Sequence, residues 1–343
     1  MSEQTRFSDK VREYLNVGHE ILYLTREEIK NLNIPKDVLK AQMEKALSMY
    51  SLGETQMPAK SHVFPDTQSV YIGMPALIPG IESAGVKWVG AYNNNMKDYK
   101  LPALSAMLLV SDYQTGWPIA FMDGVHVMET RTPAIAMVAA KYLARKDAEV
   151  FGMIGLGREG SNHLPVVEAG IPNLKKVLVW DVSEAAIDRA IATYSSQLSV
   201  PIVRAKSLEE IVRSSDVLAS STFFTTDPPE PPIKDEWVPK GQTIIVTDLH
   251  TQFHPDTINR ADMYVVDSME QQKHLVEEGY FYGPIPEPDC ELGHIIAGKH
   301  PGRTSDDQLI VANPSGMAVD DFAVTPLIIE MALERGVGRK LPL

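Results

Sequence analysis

The residues best suited to chemistry in this chain lie between Ala148 and Asp181. A predicted strand over 148–154 is followed by a glycine-rich turn, a helical run and a second strand that ends at Asp181. In such a turn the first glycine permits a tight bend, the second lets the backbone approach a pyrophosphate, and the third lets the helix pack on the strand. The N–H groups that begin the helix favour a phosphate, so this order predicts a dinucleotide site. The predicted cofactor-binding residues of the turn are Gly155, Gly157, Arg158, Glu159 and Gly160.

Asp181 bears on which nucleotide binds. Its carboxylate can accept hydrogen bonds from both adenosine ribose hydroxyls, and it would repel a 2′-phosphate. The next residues, Val182 and Ser183, offer no arginine for such a phosphate. The sequence therefore predicts NAD as the cofactor and makes NADP less favoured. Pro165 falls inside the expected helix, so we predict that it kinks or shortens that helix.

Composition and length limit the class of protein. The 343 residues suit two domains. A formal net charge of -13 opposes binding to nucleic acid or to an anionic membrane surface. The single cysteine, Cys290, excludes an intrachain disulfide and a multi-cysteine zinc site, and it suits a reducing compartment. Since no segment has the apolar pattern of a signal peptide or a transmembrane helix, we expect a cytoplasmic protein without a nucleic-acid or membrane partner.

The hydrophobic pattern of the first 130 residues indicates an α+β region. An amphipathic helix is expected over 36–51, with Gly53 at its end, and short β-like runs separated by turns follow it. The runs cover 62–64, 70–72, 84–89, 103–110 and 118–122. They predict a largely antiparallel sheet.

The pattern then changes to a regular alternation. A helix is expected over 132–145, with Pro133 tolerated in its first turn. The expected strands cover 148–154, 176–181, 201–204, 217–222, 242–247 and 263–267, and helices are expected over 183–197, 207–215 and 269–278. Alternation of this kind implies a parallel sheet with right-handed crossovers. The predicted fold class is therefore α/β, with a Rossmann dinucleotide-binding domain.

A last amphipathic helix is expected over 318–335. Because the N-terminal region has few helices of its own, we expect this helix to return and pack on that region. The α+β domain would then be discontinuous in sequence. The predicted division of the chain is 1–130, 131–314 and 315–343.

Several segments together resemble the ornithine cyclodeaminase/mu-crystallin family. They occur in the order expected for that family and span most of the chain. The segments are Ala84-Gly-Val-Lys-Trp-Val-Gly90, Thr115-Gly-Trp-Pro-Ile-Ala-Phe-Met-Asp-Gly124, Arg131-Thr-Pro-Ala134, Ile154-Gly-Leu-Gly-Arg-Glu-Gly160 and Ser315-Gly-Met-Ala-Val-Asp-Asp321.

The resemblance implies an NAD(P)-binding Rossmann domain over 131–314 and a substrate-binding domain whose sheet pairs with that of a second subunit in a homodimer. The substrate and dimerisation domain would be 1–130, completed by the returning helix in 315–343. Members of the family include cyclodeaminases, amino acid dehydrogenases, ketimine reductases and a thyroid-hormone-binding crystallin. The chemistry that the enzymes share is hydride exchange between the α-carbon of an amino acid and the nicotinamide.

A substrate carboxylate held beside the nicotinamide needs cations with defined geometry. Lys87 and Arg131 match the family's lysine and arginine in that role, and Arg131 is also expected near the cofactor phosphates. Lys60 occupies a further family position that is usually arginine, so the charge is kept but the bidentate fork is lost. Ser315, in the last matching segment, completes the expected substrate-binding set. Without the resemblance, Lys87 and Arg131 would be interpreted as a surface lysine and a surface ion pair.

The chain departs from the family at the catalytic acid/base. The family pattern Gly-Ala-Asp, followed by Pro-Gly-Lys, is replaced here by Val246-Thr-Asp-Leu-His-Thr-Gln-Phe-His-Pro255. An ungapped count puts His250 at the aspartate position, whereas a two-residue deletion puts Asp248 there. Asp248 is preferred because it ends a strand, where ligands gather in open α/β sheets. Thr222 and Thr247, at the ends of two expected strands, complete the predicted cofactor site.

The sequence thus predicts an NAD-dependent oxidoreductase that acts on the C–N bond of an amino acid or its imine. The alternatives are a redox-neutral ornithine cyclodeaminase, which releases ammonia, and a crystallin-like binding protein with little turnover. His250 and His254 are four residues apart, but Phe253 and Pro255 indicate a loop, so no metal site is expected.

Overall fold

The computed structural model describes residues 6–66, 69–223, 225 and 227–343. These residues divide into two compact units. The first unit contains the chain up to Arg131 and again from Met317 onward, and the second contains Thr132–Gly316.

Within the described part of the chain, the first unit is built on a seven-stranded sheet. Numbered along the whole chain, its strands are β1 (Glu20–Leu24), β2 (Ser61–Asp66), β3 (Ser69–Ile78), β4 (Ser83–Tyr92), β5 (Leu104–Asp112), β6 (Pro118–Asp123) and β15 (Arg339–Pro342). The order across the sheet is β15-β1-β6-β5-β4-β3-β2. The β1–β6 pair is parallel and the other pairs are antiparallel, which confirms the prediction of a largely antiparallel sheet. β1 and β15 were not predicted.

Helices contact this sheet at β3, β4 and β6. The helices that contain residues of the first unit are α1 (Phe7–Tyr14), α2 (Arg26–Asn31), α3 (Lys36–Ser51), α4 (Asn95–Tyr99), α5 (Val125–Leu143) and α12 (Ala318–Glu334). α12 contacts α1, α3, β3 and β4, so the last helix packs on the N-terminal sheet. The Ser83 hydroxyl donates to the carbonyl of Phe322 at 2.7 Å, so β4 and α12 are joined by a buried hydrogen bond.

The start of α5 corrects one prediction. The helix was expected to begin at Thr132, but it begins at Val125 and contains Pro133 in its interior. The Asp123 carboxylate accepts a hydrogen bond from the backbone N–H of His126 at 2.8 Å. A carboxylate that caps the first turn in this way stabilises an earlier helix start than Pro133 alone would suggest.

The second unit is built on eight parallel strands among the residues described. They are β7 (Val150–Ile154), β8 (Lys176–Trp180), β9 (Ile202–Arg204), β10 (Val217–Ser220), β11 (Thr243–Val246), β12 (Met263–Val266), β13 (Cys290–Glu291) and β14 (Ile310–Asn313). Its helices are α6 (Arg158–Ser161), α7 (Glu184–Tyr194), α8 (Leu208–Ser214), α9 (Pro255–Asn259), α10 (Met269–Glu277) and α11 (Leu292–Ile296). The predicted Rossmann-like parallel sheet is confirmed.

The strand order of this sheet creates a crevice. From β7 the chain runs outward to β8 and β9, and it then returns to β10 on the other side of β7, giving the order β13-β12-β14-β11-β10-β7-β8-β9. In open parallel sheets, ligands bind at the carboxyl ends of the strands where the order reverses. The reversal here lies between β7 and β10. The predicted strands up to β12 are present, whereas β13 and β14 were missed.

The segment after the glycine turn follows the prediction made from Pro165. α6 is a single turn, and a 3-10 helix over Leu164–Ala169 replaces the rest of the expected helix, with Pro165 in its first turn. Because proline cannot donate to an α-helical ladder, the interruption at this position has a local cause.

Across the described ranges, none of the helices has both the length and the apolar character that a bilayer crossing demands.

Candidate functional site

The carboxyl edge of the second sheet brings together predicted residues from four strands. Gly155 follows β7 directly and Asp181 follows β8 directly. Thr222 lies two residues beyond β10, and Thr247 and Asp248 follow β11. These residues, separated by up to almost a hundred positions in sequence, end strands on both sides of the reversal. They define the candidate site of the second unit.

Glycine is suited to each of the three positions of the turn for a different physical reason. Gly155 has a φ of +86°, and a Cβ there would lie 2.4 Å from the carbonyl oxygen of Ser221. A Cβ on Gly160 would lie 2.0 Å from the carbonyl oxygen of Gly155, so the turn and α6 pack too closely for a side chain. A Cβ on Gly157 would meet nothing within 4 Å. Its lack of a side chain therefore leaves open space beside the backbone and is not required by packing.

This open space is what a dinucleotide pyrophosphate needs to approach the backbone. Asp181 lies at the same edge. Its carboxylate accepts hydrogen bonds from the N–H of Leu156 at 2.6 Å and from that of Ser183 at 2.7 Å, which hold it against the turn. The residues present fit an NAD molecule: the turn would receive the pyrophosphate and Asp181 the adenosine ribose. Arg158 and Glu159 begin α6 on the exposed side of the turn.

Asp248 is a buried carboxyl with defined donors. One oxygen accepts a hydrogen bond from the Ser220 hydroxyl at 2.8 Å. The other accepts from the Thr222 hydroxyl at 2.8 Å and from the Thr222 N–H at 3.0 Å. Burial raises the pKa of Asp248 to about 6, although these hydrogen bonds oppose the increase. A carboxyl with this pKa can both give and accept a proton near neutral pH.

Three further side chains hold the partners of Asp248. The amide of Gln252 donates to the Thr222 hydroxyl at 3.0 Å. The Thr251 hydroxyl donates to the carbonyl of Phe223 at 2.9 Å and lies 3.1 Å from the Thr222 hydroxyl. The Thr247 hydroxyl donates to the carbonyl of Ser220 at 2.9 Å. The ends of β10 and β11 are therefore cross-linked around the carboxyl.

His250 has a different environment from Asp248. It has a φ of +65°, and its Nε2 lies 3.0 Å from the hydroxyl of Tyr264. Burial lowers the pKa of the imidazole to about 3, so the ring is neutral at physiological pH. Its Nδ1 has no hydrogen-bond partner among the residues that the structure describes. His254 caps α9 through a bond from the N–H of Asp256 to its Nδ1.

The first unit contains a second group of buried charges. Lys87 on β4 is 1% exposed, which excludes its interpretation as a surface lysine. Its ammonium donates to one oxygen of Asp321, and Arg131 Nε donates to the other at 3.2 Å. A carboxylate oxygen of Asp320 lies 4.0 Å from the Arg131 guanidinium. We call Lys87, Arg131, Asp320 and Asp321 the charge cluster.

The charge cluster joins three elements of the first unit, because its members lie on β4, α5 and α12. Burial lowers the pKa of Lys87, and the charge of Arg131 lowers it further, while Asp321 and Asp320 oppose this. Asp320 also accepts from the N–H of Met317 at 2.7 Å, so it caps α12. Lys87 and Arg131, both expected to bind a substrate carboxylate, share the carboxylate of Asp321.

Lys60 and Ser315 complete the predicted set. Lys60 is half-buried and directly precedes β2. Ser61 is opposite Gly73, which is opposite Trp88, so Lys60 and Lys87 lie at the same level of the first sheet, two strands apart. Ser315 belongs to the second unit, where its hydroxyl donates to Asp267 at 3.1 Å.

Some residues of these sites were missed by sequence reasoning. Asp320 and Asp321 were part of a matching segment but were given no role, and their place in the first turn of a helix was the only signal. Gln252, Thr251 and Tyr264 gave no signal, because nothing in their sequence neighbourhood indicates which side chain they will meet.

A parallel sheet whose strand order reverses between β7 and β10, together with the open glycine turn at its carboxyl edge, defines a dinucleotide-dependent α/β enzyme. The model of the ornithine cyclodeaminase/mu-crystallin family matches residues 19–336, and the chain belongs to this family.

Curated relatives and solved structures agree with this assignment. The alanine dehydrogenase of Archaeoglobus fulgidus is 32% identical over 333 residues, which cover 94% of this chain and 98% of the relative. The structure of Thermococcus litoralis Delta(1)-pyrroline-2-carboxylate reductase in complex with NADH and L-proline has a TM-score of 0.83 and 28% identity, covering 94% of this chain and all of that one. An archaeal alanine dehydrogenase dimer with bound NAD has a TM-score of 0.82 and 30% identity, covering 94% and 99%.

These relatives and the fit of the turn support the same class of activity. The chain is an NAD-dependent enzyme of the type that oxidises or reduces a C–N bond.

Two glycine substitutions separate nucleotide binding from folding. Gly157→Ala is expected to weaken NADH binding by about tenfold or more, because the new methyl group enters the space that the pyrophosphate needs. It should leave thermal unfolding of the nucleotide-free protein unchanged. Gly160→Ala should lower the free energy of unfolding by about 1–3 kcal/mol, because its Cβ overlaps a backbone oxygen. NADH fluorescence titration and thermal unfolding without nucleotide measure the two effects. Unchanged NADH affinity in Gly157→Ala would show that the phosphates bind elsewhere.

Proposed function

We propose that this enzyme catalyses net oxidation of an α-amino acid to its imine, or the reverse reduction, and not a redox-neutral cyclisation. The observation that carries the proposal is Asp248, a buried carboxyl with a pKa of about 6 at the same sheet edge as the glycine turn. The reaction needs one hydride transfer and one proton transfer, and a single carboxyl of this pKa suffices for the proton. The names of the relatives, an alanine dehydrogenase and a pyrroline-2-carboxylate reductase, support the same class.

Asp248 is assigned the proton transfer. A bound NAD would supply the hydride acceptor for the α-carbon, and a bound NADH would supply the hydride for the reverse reaction. In the oxidative direction the carboxylate of Asp248 accepts the proton that the amine loses. In the reductive direction the neutral carboxyl donates a proton to the imine nitrogen. The hydroxyl donors of Ser220 and Thr222 keep the two oxygens in fixed positions during both steps.

We assign the binding of the substrate carboxylate to Lys87 and Arg131. Both are buried cations whose donors converge on Asp321, so their side chains are already ordered. Lys60 and Ser315 are assigned weaker contacts to the same substrate. Gly155, Gly157, Arg158, Glu159, Gly160, Asp181, Thr222, Thr247 and Arg131 are assigned to the cofactor.

The outer face of the first sheet supports a homodimer. Cross-strand pairing puts a group of apolar side chains on the face opposite α12, and Trp88 and Phe121 within it are 51% and 39% exposed. The group consists of Tyr71, Val86, Trp88, Met107, Leu109 and Phe121. An apolar patch of this kind marks an interaction surface, and the archaeal alanine dehydrogenase is a dimer. We assign this surface to a second copy of this chain. We place the dimer in the cytoplasm.

Product analysis tests the net reaction. With NAD and L-alanine or L-proline as amino acid, NADH should accumulate in proportion to the imine or keto acid formed. With NADH, pyruvate and ammonium, NADH should be consumed. Absorbance at the NADH band and chromatography of the acids measure both. If ornithine instead yields proline and ammonia while NADH stays at catalytic levels, the cyclodeaminase alternative is correct.

The pH dependence tests Asp248. In the reductive direction the protonated carboxyl is the active form, so kcat should fall as the pH rises through about 6. In the oxidative direction the carboxylate is the active form, so kcat should rise through the same pH. Asp248→Asn should remove the inflection and lower turnover by roughly two to four orders of magnitude.

Two control variants accompany Asp248→Asn. Asp256→Asn removes an exposed carboxylate from the same region and should change neither the rate nor the profile. His250→Gln should have a smaller effect than Asp248→Asn, since the ring is neutral and bonded to Tyr264. The opposite ranking would assign the acid/base to His250.

Oligomeric state tests the dimer. The unmodified protein should have the mass of a dimer in light scattering after size exclusion. Trp88→Glu puts a charge on the outer face and should shift the mass to that of a monomer. Val276→Glu changes a 47% exposed residue on α10 and should leave the dimer intact. A monomeric unmodified protein would contradict the assignment.

A further inference from the structure

The chain after β11 turns in a conformation that its residues disfavour. The N–H of Thr251 donates to the carbonyl of Asp248 at 3.4 Å, which closes a turn over 248–251. The central residues of this turn, Leu249 and His250, have φ values of +56° and +65°. Turns with two positive φ values are normally built from glycine, asparagine or aspartate, because other side chains crowd the backbone there. Such a conformation persists only where the surrounding structure holds it.

Both ends of the turn are bonded to residues at the end of β10. Asp248 accepts from the hydroxyls of Ser220 and Thr222. The Thr251 hydroxyl lies 3.1 Å from that of Thr222. These bonds fix the ends of the turn and do not involve its central side chains. The positive φ values therefore need a second explanation.

Side chains from β12 and from the α10 region hold the central residues. Leu249 is buried in an apolar cluster with Leu275 and Tyr280. The ring of His250 packs edge-on against that of Tyr264, with 5.5 Å between the ring centroids, and its Nε2 lies 3.0 Å from the Tyr264 hydroxyl. Because the Nδ1 atom of His250 has no partner in the described part of the chain, this hydroxyl is the ring's one hydrogen-bond partner there.

The Tyr264 hydroxyl is itself fixed by a buried amide. Burial raises the pKa of Tyr264, and a hydrogen bond with the Asn313 side chain opposes the increase. A group that lowers the pKa of a phenol in this way donates to its oxygen, so the phenol proton is left for the neutral ring of His250. The Asn313 amide also donates to Gln272 at 2.9 Å. A chain of hydrogen bonds thus runs from α10 through β14 and β12 to the turn.

We propose that the hydrogen bond between Tyr264 and His250 holds this turn in its left-handed form and thereby places the Asp248 carboxyl for proton transfer. Tyr264 and His250 are then positioning residues, since they act through Asp248. The inference deepens the proposed function and rests on its assignment of the proton transfer to Asp248. It also gives a reason for a histidine at a position where glycine would be less strained.

The pKa of Asp248 is a measure of where its carboxyl lies. Burial raises this pKa, and the hydrogen bonds from Thr222 and Ser220 lower it. Within the described ranges, no charged side chain contributes to the change. Since burial is the largest cause, a carboxyl that moves toward water loses more of the increase than it gains from its lost donors. A loss of stability elsewhere in the sheet would leave the pKa at about 6.

Tyr264→Phe removes the hydroxyl and keeps the ring. The pKa of Asp248 should fall from about 6 toward that of an exposed aspartate. Turnover should fall by about tenfold or more, because the carboxyl is no longer held in place, while the affinity for NADH stays unchanged. NMR titration of isotope-labelled aspartate carboxyl carbons in the nucleotide-free protein measures the pKa. The Asp248 signal is the one missing from the spectrum of Asp248→Asn.

Thr243→Val is the matched control. Thr243 lies at the other end of β11, where its buried hydroxyl donates to the carbonyl of Leu143 at 3.1 Å. The substitution removes a buried hydrogen bond from the strand that leads into the turn. It should lower the thermal stability but leave both kcat and the pKa of Asp248 unchanged.

Two substitutions of His250 separate the hydrogen bond from the backbone. His250→Ala and His250→Gly both remove the ring, but glycine adopts a positive φ without a steric penalty and alanine does not. If the bond to Tyr264 holds the turn against strain, His250→Ala should lower kcat and the pKa of Asp248 more than His250→Gly does. The same titration and steady-state kinetics measure both variants.

The outcomes distinguish the inference from the proposed function. A folded Tyr264→Phe protein with unchanged kcat and unchanged pKa of Asp248 overturns the inference, and so does a His250→Ala protein that equals or exceeds His250→Gly. If Tyr264→Phe does not fold, the comparison of the two His250 variants decides. A lowered pKa in Tyr264→Phe together with full turnover in Asp248→Asn would keep the positioning of the carboxyl but take the proton transfer away from Asp248.

Discussion

The balance of buried charge is the constraint on which both candidate sites depend. Removing an ion from water costs several kcal/mol unless a partner and hydrogen bonds compensate for it. In the first unit, Asp321 meets this requirement for Lys87 and Arg131 together, and in doing so it ties β4, α5 and α12 to one another. In the second unit, hydroxyl and N–H donors meet it only in part, so Asp248 keeps a pKa of about 6. The charge cluster of the first unit is therefore suited to holding charge, and Asp248 in the second unit is suited to moving a proton.

The parallel sheet explains why Asp248, to which we assign the proton transfer, and the glycine turn lie on the same sheet edge. Parallel strands present all their carboxyl ends on the same edge, and the reversal between β7 and β10 opens a crevice there. The turn after β7 and Asp248 after β11 consequently lie on one edge without any special arrangement of loops. The cross-links from Thr222, Thr247 and Gln252 then give this edge a rigidity that short strand ends lack by themselves.

The departure from the usual family pattern after β11 changes the segment to which we assign the acid/base without removing its carboxyl. The Pro-Gly-Lys turn is absent, but Asp248 still reaches the donors at the end of β10. His250, two residues later, has a left-handed backbone conformation and a bond to Tyr264. A dehydrogenase or imine reductase needs one positioned proton and an approach for hydride, and this shortened segment is compatible with both.

The sequence by itself determined the features that depend on neighbouring residues. The glycine turn, the strand-end Asp181, the interruption at Pro165 and the alternation of strands and helices all follow from local spacing and local sterics, and the fold class was predictable from them.

Only the tertiary structure decided which distant groups meet. Lys87 and Asp321 are 234 positions apart, and nothing near either residue identifies its partner. The short strands β13 and β14 were missed because two to four residues carry too weak a pattern, and α5 starts early because a single carboxylate caps it. Burial raises or lowers a pKa, and burial is a property of the packed chain, so the sequence could propose Asp248 and Lys87 but could not assign their ionisation.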